Sequence, residues 1–292
     1  MSVLVIGDVI TDIIAMPEGP MVRGSDRRAK IRSRPGGSAA NLAVWLASLN
    51  VPVIFAARVG AADVESWSAH FRKWGVTPLL AADPDLPSGV LISIVDSDGE
   101  RSFLTDRGAN LNLNAADIPD HILSGISLLA VSGYSYFADQ PRTAVMALMK
   151  AARERKISTV VDPASVGFLR EVGAETFLRW TQGTGTIFAN LDEALELTGS
   201  SDPNLQMQTL GRFFEHVVLK RGAAGAALGG RKGVTLSLPA PASEVVDSTG
   251  AGDAFAAAFI AAELRGDTPE ARLKAGIEAG SRAVAKIGGQ PD

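Results

Sequence analysis

The sequence predicts an α/β fold in which a mostly parallel central sheet has helices on both faces and a small β-sheet forms a lid. Short apolar runs alternate with helical patterns along most of the chain, which is the order that builds parallel sheets. Two segments, residues 12–35 and 87–108, interrupt this alternation with polar loop and β patterns. The chain has 292 residues, 46% of them hydrophobic, which is enough for a core of ordinary size.

The first part of the chain supplies strands, two helices and a hairpin. The apolar run at residues 3–6 ends at Gly7 and Asp8, as expected for a buried strand that leads into a functional loop. Gly36 and Gly37 open a helical pattern that continues to about residue 49. The other elements predicted here are a strand at 53–59, a helix at 63–74 with Asp63 as its N-cap, and a hairpin of residues 90–95 and 102–105 around a turn at 96–99.

Beyond residue 110 the alternation is regular. The predicted strands are residues 128–132, 159–162, 186–189 and 216–220, followed by two short β runs at 224–228 and 234–238. The predicted helices are residues 141–155, 191–197, 251–264 and 269–286. Thr268 is expected to cap the last helix, with Pro269 at its first position.

This order of elements predicts where a ligand would bind. In open α/β sheets ligands bind outside the carboxyl ends of the strands. The two polar β segments do not fit the layered core, so we expect them to cover that site. The predicted organisation is an α/β core of residues 1–11, 36–86 and 109–292, with a small β lid of residues 12–35 and 87–108.

Composition and charge exclude several function classes. The net charge of −4 gives no case for binding nucleic acid or an anionic membrane. The chain has no cysteine, which excludes disulfides and thiolate metal sites. The three histidines are scattered without metal-ligand spacing. The N-terminus has no basic leader and no apolar run could span a bilayer, so a cytoplasmic location is expected.

The strongest chemical signal is the segment 247–255, which reads DSTGAGDAF. Gly250 and Gly252 let the backbone approach a ligand closely, just before a predicted helix. A helix N-terminus presents free N–H groups and a partial positive charge, which suits a phosphoryl group. Asp253 lies in the first helical turn, where a carboxylate can accept a proton from an attacking hydroxyl. In isolation, the same residues would also suit a tight turn with a capping carboxylate.

This segment resembles the C-terminal signature of the ribokinase-like (PfkB) family of carbohydrate and nucleoside kinases. Residues 35–43 resemble the N-terminal signature of that family, in which two glycines and Asn41 open a helix. Three further matches follow family order: Gly7, Asp8 and Asp12 in the first strand and loop, Asn190 with Glu193, and the segment 220–225. The P-loop and protein-kinase motifs are absent from the sequence.

The resemblance implies an ATP- and Mg²⁺-dependent kinase and a role for each matched residue. The catalytic group would consist of Asp253 as the base, with the backbone of Gly250, Ala251 and Gly252 as the anion hole. Substrate hydroxyls would be held by Asp12, Gly37 and Asn41. Asn190 and Glu193 would organise Mg²⁺ and ATP through water, and the nucleotide site would be lined by Lys220, Gly222 and Gly225.

The sequence leaves open which molecule accepts the phosphoryl group. Ile10 and Ser38 depart from the pattern of ribose kinases, and Arg107 in the lid could meet the carboxylate of a sugar acid. A small sugar or sugar acid is therefore expected. A nucleoside such as adenosine or pseudouridine is the alternative, and a non-catalytic ligand-binding protein of the same fold is a further one. The resemblance also implies a K⁺ site at Asp247, for which a backbone-capping carboxylate is the alternative, and a homodimer formed through the lid.

Overall fold

The computed structural model describes residues 1–95 and 101–291. The strands in this part of the chain are β1 Ser2–Ile6, β2 Ile10–Pro17, β3 Ala29–Gly36, β4 Val53–Gly60, β5 Val76–Asp83, β6 Gly89–Val95, β7 Arg101–Asp106, β8 Ile126–Ser132, β9 Ser158–Asp162, β10 Thr186–Asn190, β11 His216–Lys220, β12 Ala226–Gly230 and β13 Gly233–Leu238. The α-helices are α1 Ser38–Ser48, α2 Val64–Lys73, α3 Asp139–Glu154, α4 Val166–Val172, α5 Ala174–Trp180, α6 Leu191–Thr198, α7 Pro203–Leu210, α8 Ala251–Leu264 and α9 Pro269–Ala283. Among the described residues, none of the helices combines the length and apolar character needed to cross a membrane.

The larger sheet has the strand order β13-β12-β11-β10-β9-β8-β1-β4-β5. Its strands from β11 to β5 are parallel, whereas β12 and β13 extend one edge in antiparallel pairs. Side chains alternate between two hydrophobic clusters: Val3 and Val5 pack with α1, α8 and α9, and Leu4 and Ile6 pack with α3, α6 and α7. Because both faces are covered, these strands consist of continuous apolar runs. The predicted fold class is confirmed.

The smaller sheet is separate and has the order β3-β2-β6-β7. Its strands lie within the two polar segments, except that β2 begins two residues earlier, at Ile10, and β3 ends one residue later, at Gly36. Asp12, Leu91 and Thr105 occupy adjacent positions in the register and line the pocket described below. The predicted turn at 96–99 lies outside the described residues.

Several elements differ from the sequence-based expectations. Strand β5 was not predicted, because Pro78 interrupts its β pattern; proline is tolerated there since β5 is an edge strand. The short helices α4, α5 and α7 were also missed. Helix α9 ends at Ala283, three residues before the predicted end. Asp63 occupies the N-cap position of α2 without a capping hydrogen bond from its side chain, whereas Thr268 accepts the amide of Ala271 as expected.

Candidate active site

A pocket of about 270 Å³ lies between the carboxyl ends of the large sheet and the small sheet. Strands that end at the same edge deliver side chains from distant parts of the chain to this place. Of the residues proposed from the sequence, those that line the pocket are Asp12, Gly37, Asn41, Arg107, Asn190, Glu193, Lys220, Gly250, Gly252 and Asp253. Those that do not line it are Gly222, Gly225, Asp247 and Ala251.

Asp253 lies in the first turn of α8 and is held by two side chains from α1. Its Oδ1 atom accepts the Oγ hydroxyl of Ser38 at 2.8 Å, and its Oδ2 atom accepts Nδ2 of Asn41 at 3.0 Å. Burial raises its pKa from 3.8 to about 7; the bond from Asn41 opposes this, and the negative charge of Asp162 adds to it. A carboxylate with a pKa near neutrality is suited to take a proton in the transition state. The partnership with Ser38 was not predicted.

The turn before α8 provides a surface for an anion. Gly250 has φ 73°, a left-handed conformation that disfavours side chains. At Gly252 an added methyl group would lie 3.1 Å from Nζ of Lys220, so the ammonium reaches the backbone at the helix start. The first N–H groups of a helix lack intrahelical partners and carry partial positive charge. This end of the pocket therefore suits a phosphate.

Lys220 ends β11 and forms a salt bridge with Asp162 at the end of β9. Burial would lower the pKa of Lys220, but the charges of Asp162 and Glu193 outweigh it and raise the pKa to about 12. The ammonium is thus positively charged at any physiological pH. Asp162 was missed in the sequence; the only signal for it was its place at the end of a predicted strand.

Asn190 and Glu193 form a capping box at the start of α6. The Oδ1 atom of Asn190 accepts the amide of Glu193, and the Oε2 atom of Glu193 accepts the amide of Asn190, both at 2.8 Å. Glu193 is buried, and this, with the charge of Asp162, raises its pKa to about 7. The pair therefore has a structural role as well as a place in the pocket wall.

The small sheet and the loop after β1 bring further charged side chains to the pocket. Burial, together with the charge of Asp247, raises the pKa of Asp12 to about 6. Arg107 donates Nε and Nη2 to the two oxygens of Asp8, at 2.9 and 3.0 Å, and both side chains are only 6% exposed. Arg107 lines the pocket as expected, and the bidentate ion pair with Asp8 balances its charge and engages two of its five N–H donors.

The remaining predicted residues hold backbone segments. Gly222 and Gly225 lie in the β11–β12 turn with positive φ, and a methyl group at Gly225 would lie 2.0 Å from the carbonyl oxygen of Leu238. Asp247 accepts the amide of Thr249 at Oδ1 and the amide of Gly288 at Oδ2, at 2.8 and 3.0 Å. These contacts match the capping alternative for Asp247.

Comparisons with known proteins agree with this architecture. The family model described as pfkB family carbohydrate kinase matches residues 1–292. The bifunctional protein HldE of Ectopseudomonas mendocina is 30% identical over an alignment of 305 residues, gaps included. The alignment covers 98% of this chain and 61% of that protein. The chain thus spans about three fifths of the length of that relative. The 5-dehydro-2-deoxygluconokinase of Bacillus subtilis is 24% identical, with 86% of this chain and 81% of the relative covered.

Solved structures share the whole fold. A probable sugar kinase from Rhizobium etli superposes with a TM-score of 0.89 at 22% identity, covering 99% of this chain and 94% of the other. An adenosine kinase from Sinorhizobium meliloti superposes with a TM-score of 0.86 at 24% identity, covering 99% of this chain and 95% of the other. A putative ribokinase II from E. coli, in complex with ATP and Mg²⁺, superposes with a TM-score of 0.86 at 22% identity, covering 99% of this chain and 94% of the other.

Proposed function

The chain belongs to the pfkB family of carbohydrate kinases, and on this premise we propose that it transfers the γ-phosphoryl group of ATP to a hydroxyl of a small sugar. The observation that carries the proposal is Asp253. It combines a pKa of about 7 with a position beside the glycine turn and hydrogen bonds from Ser38 and Asn41. Such an arrangement places a proton acceptor next to an anion-binding surface.

In this scheme the residues of the chain position the reactants and move one proton. Asp253 accepts the proton of the attacking hydroxyl while Ser38 and Asn41 hold its carboxylate in place. The amides at Gly250–Gly252 and the Lys220 ammonium stabilise charge on the transferred group. The small sheet covers the pocket and limits the access of water, which would otherwise compete as a nucleophile.

The donor end of the pocket fits ATP and Mg²⁺. Bound there, Mg²⁺ and ATP supply the transferable phosphoryl group and the neutralisation of its charge. Mg²⁺ usually keeps several waters and uses one or two protein carboxylates, and Glu193 and Asp162, which both lie near Lys220, could serve in this way. Lys220 and the start of α8 supply the positive charge that phosphates require.

The acceptor end supports a neutral hydroxyl compound better than a sugar acid. Asp12 and Asp8 bring negative charge, and the guanidinium of Arg107 is already paired with Asp8. Carboxylate oxygens accept hydrogen bonds from sugar hydroxyls. A nucleoside is the second candidate because Tyr134 lines the pocket and offers an aromatic surface for a base.

The proposal also includes a homodimer formed through the small sheet and a K⁺ ion at Asp247. The outer face of the small sheet carries Ile31, Ala15 and Ile94 in one register row, and Ile13, Ile92 and Leu104 in the next. Ile31 and Leu104 are 66% and 61% exposed, which supports a homodimer formed through this face. A K⁺ ion at Asp247 is the weaker feature, since both of its oxygens already accept amides.

The decisive experiment measures ADP formation from ATP and Mg²⁺ with a panel of neutral sugars, sugar acids and nucleosides. We expect acceptor-dependent ADP release with a neutral sugar, and Asp253→Asn as the matched control should abolish most of it. Preference for a nucleoside would select the second candidate. ATP binding without ADP release for any acceptor would favour a non-catalytic protein and contradict the proposal.

A further inference from the structure

The C-terminal loop, residues 286–291, is held by side chains from α1 and α2, two helices that share a hydrophobic cluster with α8 and α9. The carbonyl of Gly289 accepts Nε1 of Trp45 in α1 at 2.9 Å. The Oε1 atom of Gln290 lies 2.8 Å from Nε2 of His70 in α2. The amide of Gly288 donates to Oδ2 of Asp247 at 3.0 Å, so three consecutive loop positions are held from three parts of the fold.

The fastened loop packs directly against the candidate active site. A methyl group at Gly250 would lie 2.4 Å from Cα of Gly289, and one at Gly289 would lie 2.4 Å from Nδ2 of Asn41. The same Nδ2 atom donates to Oδ2 of Asp253. The loop backbone is therefore in contact both with the turn that would bind the phosphoryl group and with the side chain that orients the general base.

We propose that Trp45 and His70 are positioning residues for the reaction. By holding Gly289 and Gln290, they keep the loop against Gly250 and Asn41, and this contact maintains the anion-binding turn and the base in their working geometry. The inference rests on the proposed function, since it concerns the same phosphoryl transfer. Neither side chain lines the pocket, so each acts through the loop and not on a substrate.

The expected signature is a loss of turnover without a matching loss of binding. A displacement of about 1 Å at a catalytic group can lower the rate about 100-fold. The loop keeps its other attachments when one is removed, so we expect a smaller effect, on the order of tenfold in kcat. His70 is half-buried, and its truncation leaves the buried Trp45 and the core in place.

The test is a double-mutant cycle between His70 and Gln290. His70→Ala and Gln290→Ala should each lower kcat about tenfold with KM nearly unchanged, and the double variant should be no worse than either, because all three lack the same contact. His70→Gln places an amide donor close to the position of the imidazole Nε2 and should recover most of the rate. The control is His216→Ala, an exposed histidine at the start of β11, which should leave kcat unchanged. The inference would be overturned if the two reductions in kcat multiplied in the double variant, or if His70→Ala left kcat unchanged.

Amide hydrogen exchange gives a second readout that needs no substrate. In His70→Ala, amides of residues 286–291 and of the turn 249–252 should exchange faster than in the unmodified protein. Unchanged exchange at 249–252 would disprove the coupling. If the unmodified protein phosphorylates no sugar or nucleoside, the proposed function fails while the exchange measurement still decides whether the loop holds the turn.

Discussion

Replacing Asp253 by asparagine removes the proposed base with little change in shape. The asparagine Oδ1 can accept Nδ2 of Asn41, and its Nδ2 can donate to Oγ of Ser38, since a hydroxyl both donates and accepts. Both bonds of the carboxylate thus have substitutes. Loss of a general base typically lowers turnover by about 10²–10⁴-fold, which corresponds to roughly 3–5 kcal/mol in the barrier. KM should change much less.

The same substitution has a pH-dependent effect on the free energy of unfolding. A pKa raised from 3.8 to about 7 corresponds to about 4 kcal/mol, and solvent in the open pocket reduces this to roughly 1–3 kcal/mol. Because the pKa of Asp253 is higher in the folded than in the unfolded protein, its ionised form destabilises the fold. The asparagine variant should therefore be more stable above pH 7, and this advantage should decline to zero as the pH falls to about 4.

Two assays check these expectations. Turnover is measured as ADP release at saturating ATP and acceptor, and stability is followed by thermal unfolding at pH 4 and pH 8. The kcat/KM of the unmodified protein should rise with pH through an apparent pKa near 7. Near-normal turnover in purified Asp253→Asn would remove Asp253 from the catalytic role. A variant that is less stable at pH 8 would refute the account of its buried charge.

Three further predictions follow from the pairings in the structure. Arg107→Ala leaves the Asp8 carboxylate buried and unpaired, so we expect the free energy of unfolding to fall by about 3–5 kcal/mol. Activity should fall equally with neutral and acidic acceptors. A selective loss of activity with acidic sugars would show instead that Arg107 binds a substrate carboxylate. Replacing K⁺ by a bulky organic cation at constant ionic strength should lower turnover, because an ion at Asp247 would hold the Gly250–Gly252 turn in position; unchanged turnover would reject the ion and leave Asp247 as a capping carboxylate. Ile31→Glu combined with Leu104→Glu should give a monomer in sedimentation experiments, and a monomeric unmodified protein would refute the lid dimer.

The fold was accessible from the sequence because its main strands are buried on both faces. Strand β11 and helix α8 were predicted with the bounds that the structure has. The period of the hydrophobic pattern and the length of each apolar run identify such elements from local sequence alone. Strand β5 was not accessible, since the tolerance of Pro78 depends on the strand lying at an edge of the sheet, which is a property of the assembled sheet.

Much of the pocket was predictable for a related reason. Residues that follow consecutive strands meet at one edge of a parallel sheet, so motifs far apart in the chain converge there. What the motifs do not encode is which side chains pair. In the sequence, Ser38 is notable only as a departure from the pattern of ribose kinases, yet it donates to Asp253 across 215 residues of chain. Such a bond depends on how α1 and α8 pack, and no local pattern reports that packing.

The ion pairs have the largest consequence for function. Arg107 and Asp8 are 99 residues apart, and Lys220 and Asp162 are 58 apart, so neither pair is visible as a sequence motif. In the sequence, Arg107 counts as a free cation; in the fold, its charge is balanced by Asp8. Lys220 is paired too, but its Nζ also approaches the helix start at Gly252, where phosphates would add negative charge. Each of the two cations is therefore balanced by a carboxylate. The helix start beside Lys220 adds partial positive charge at that end of the pocket, which favours an anionic donor there.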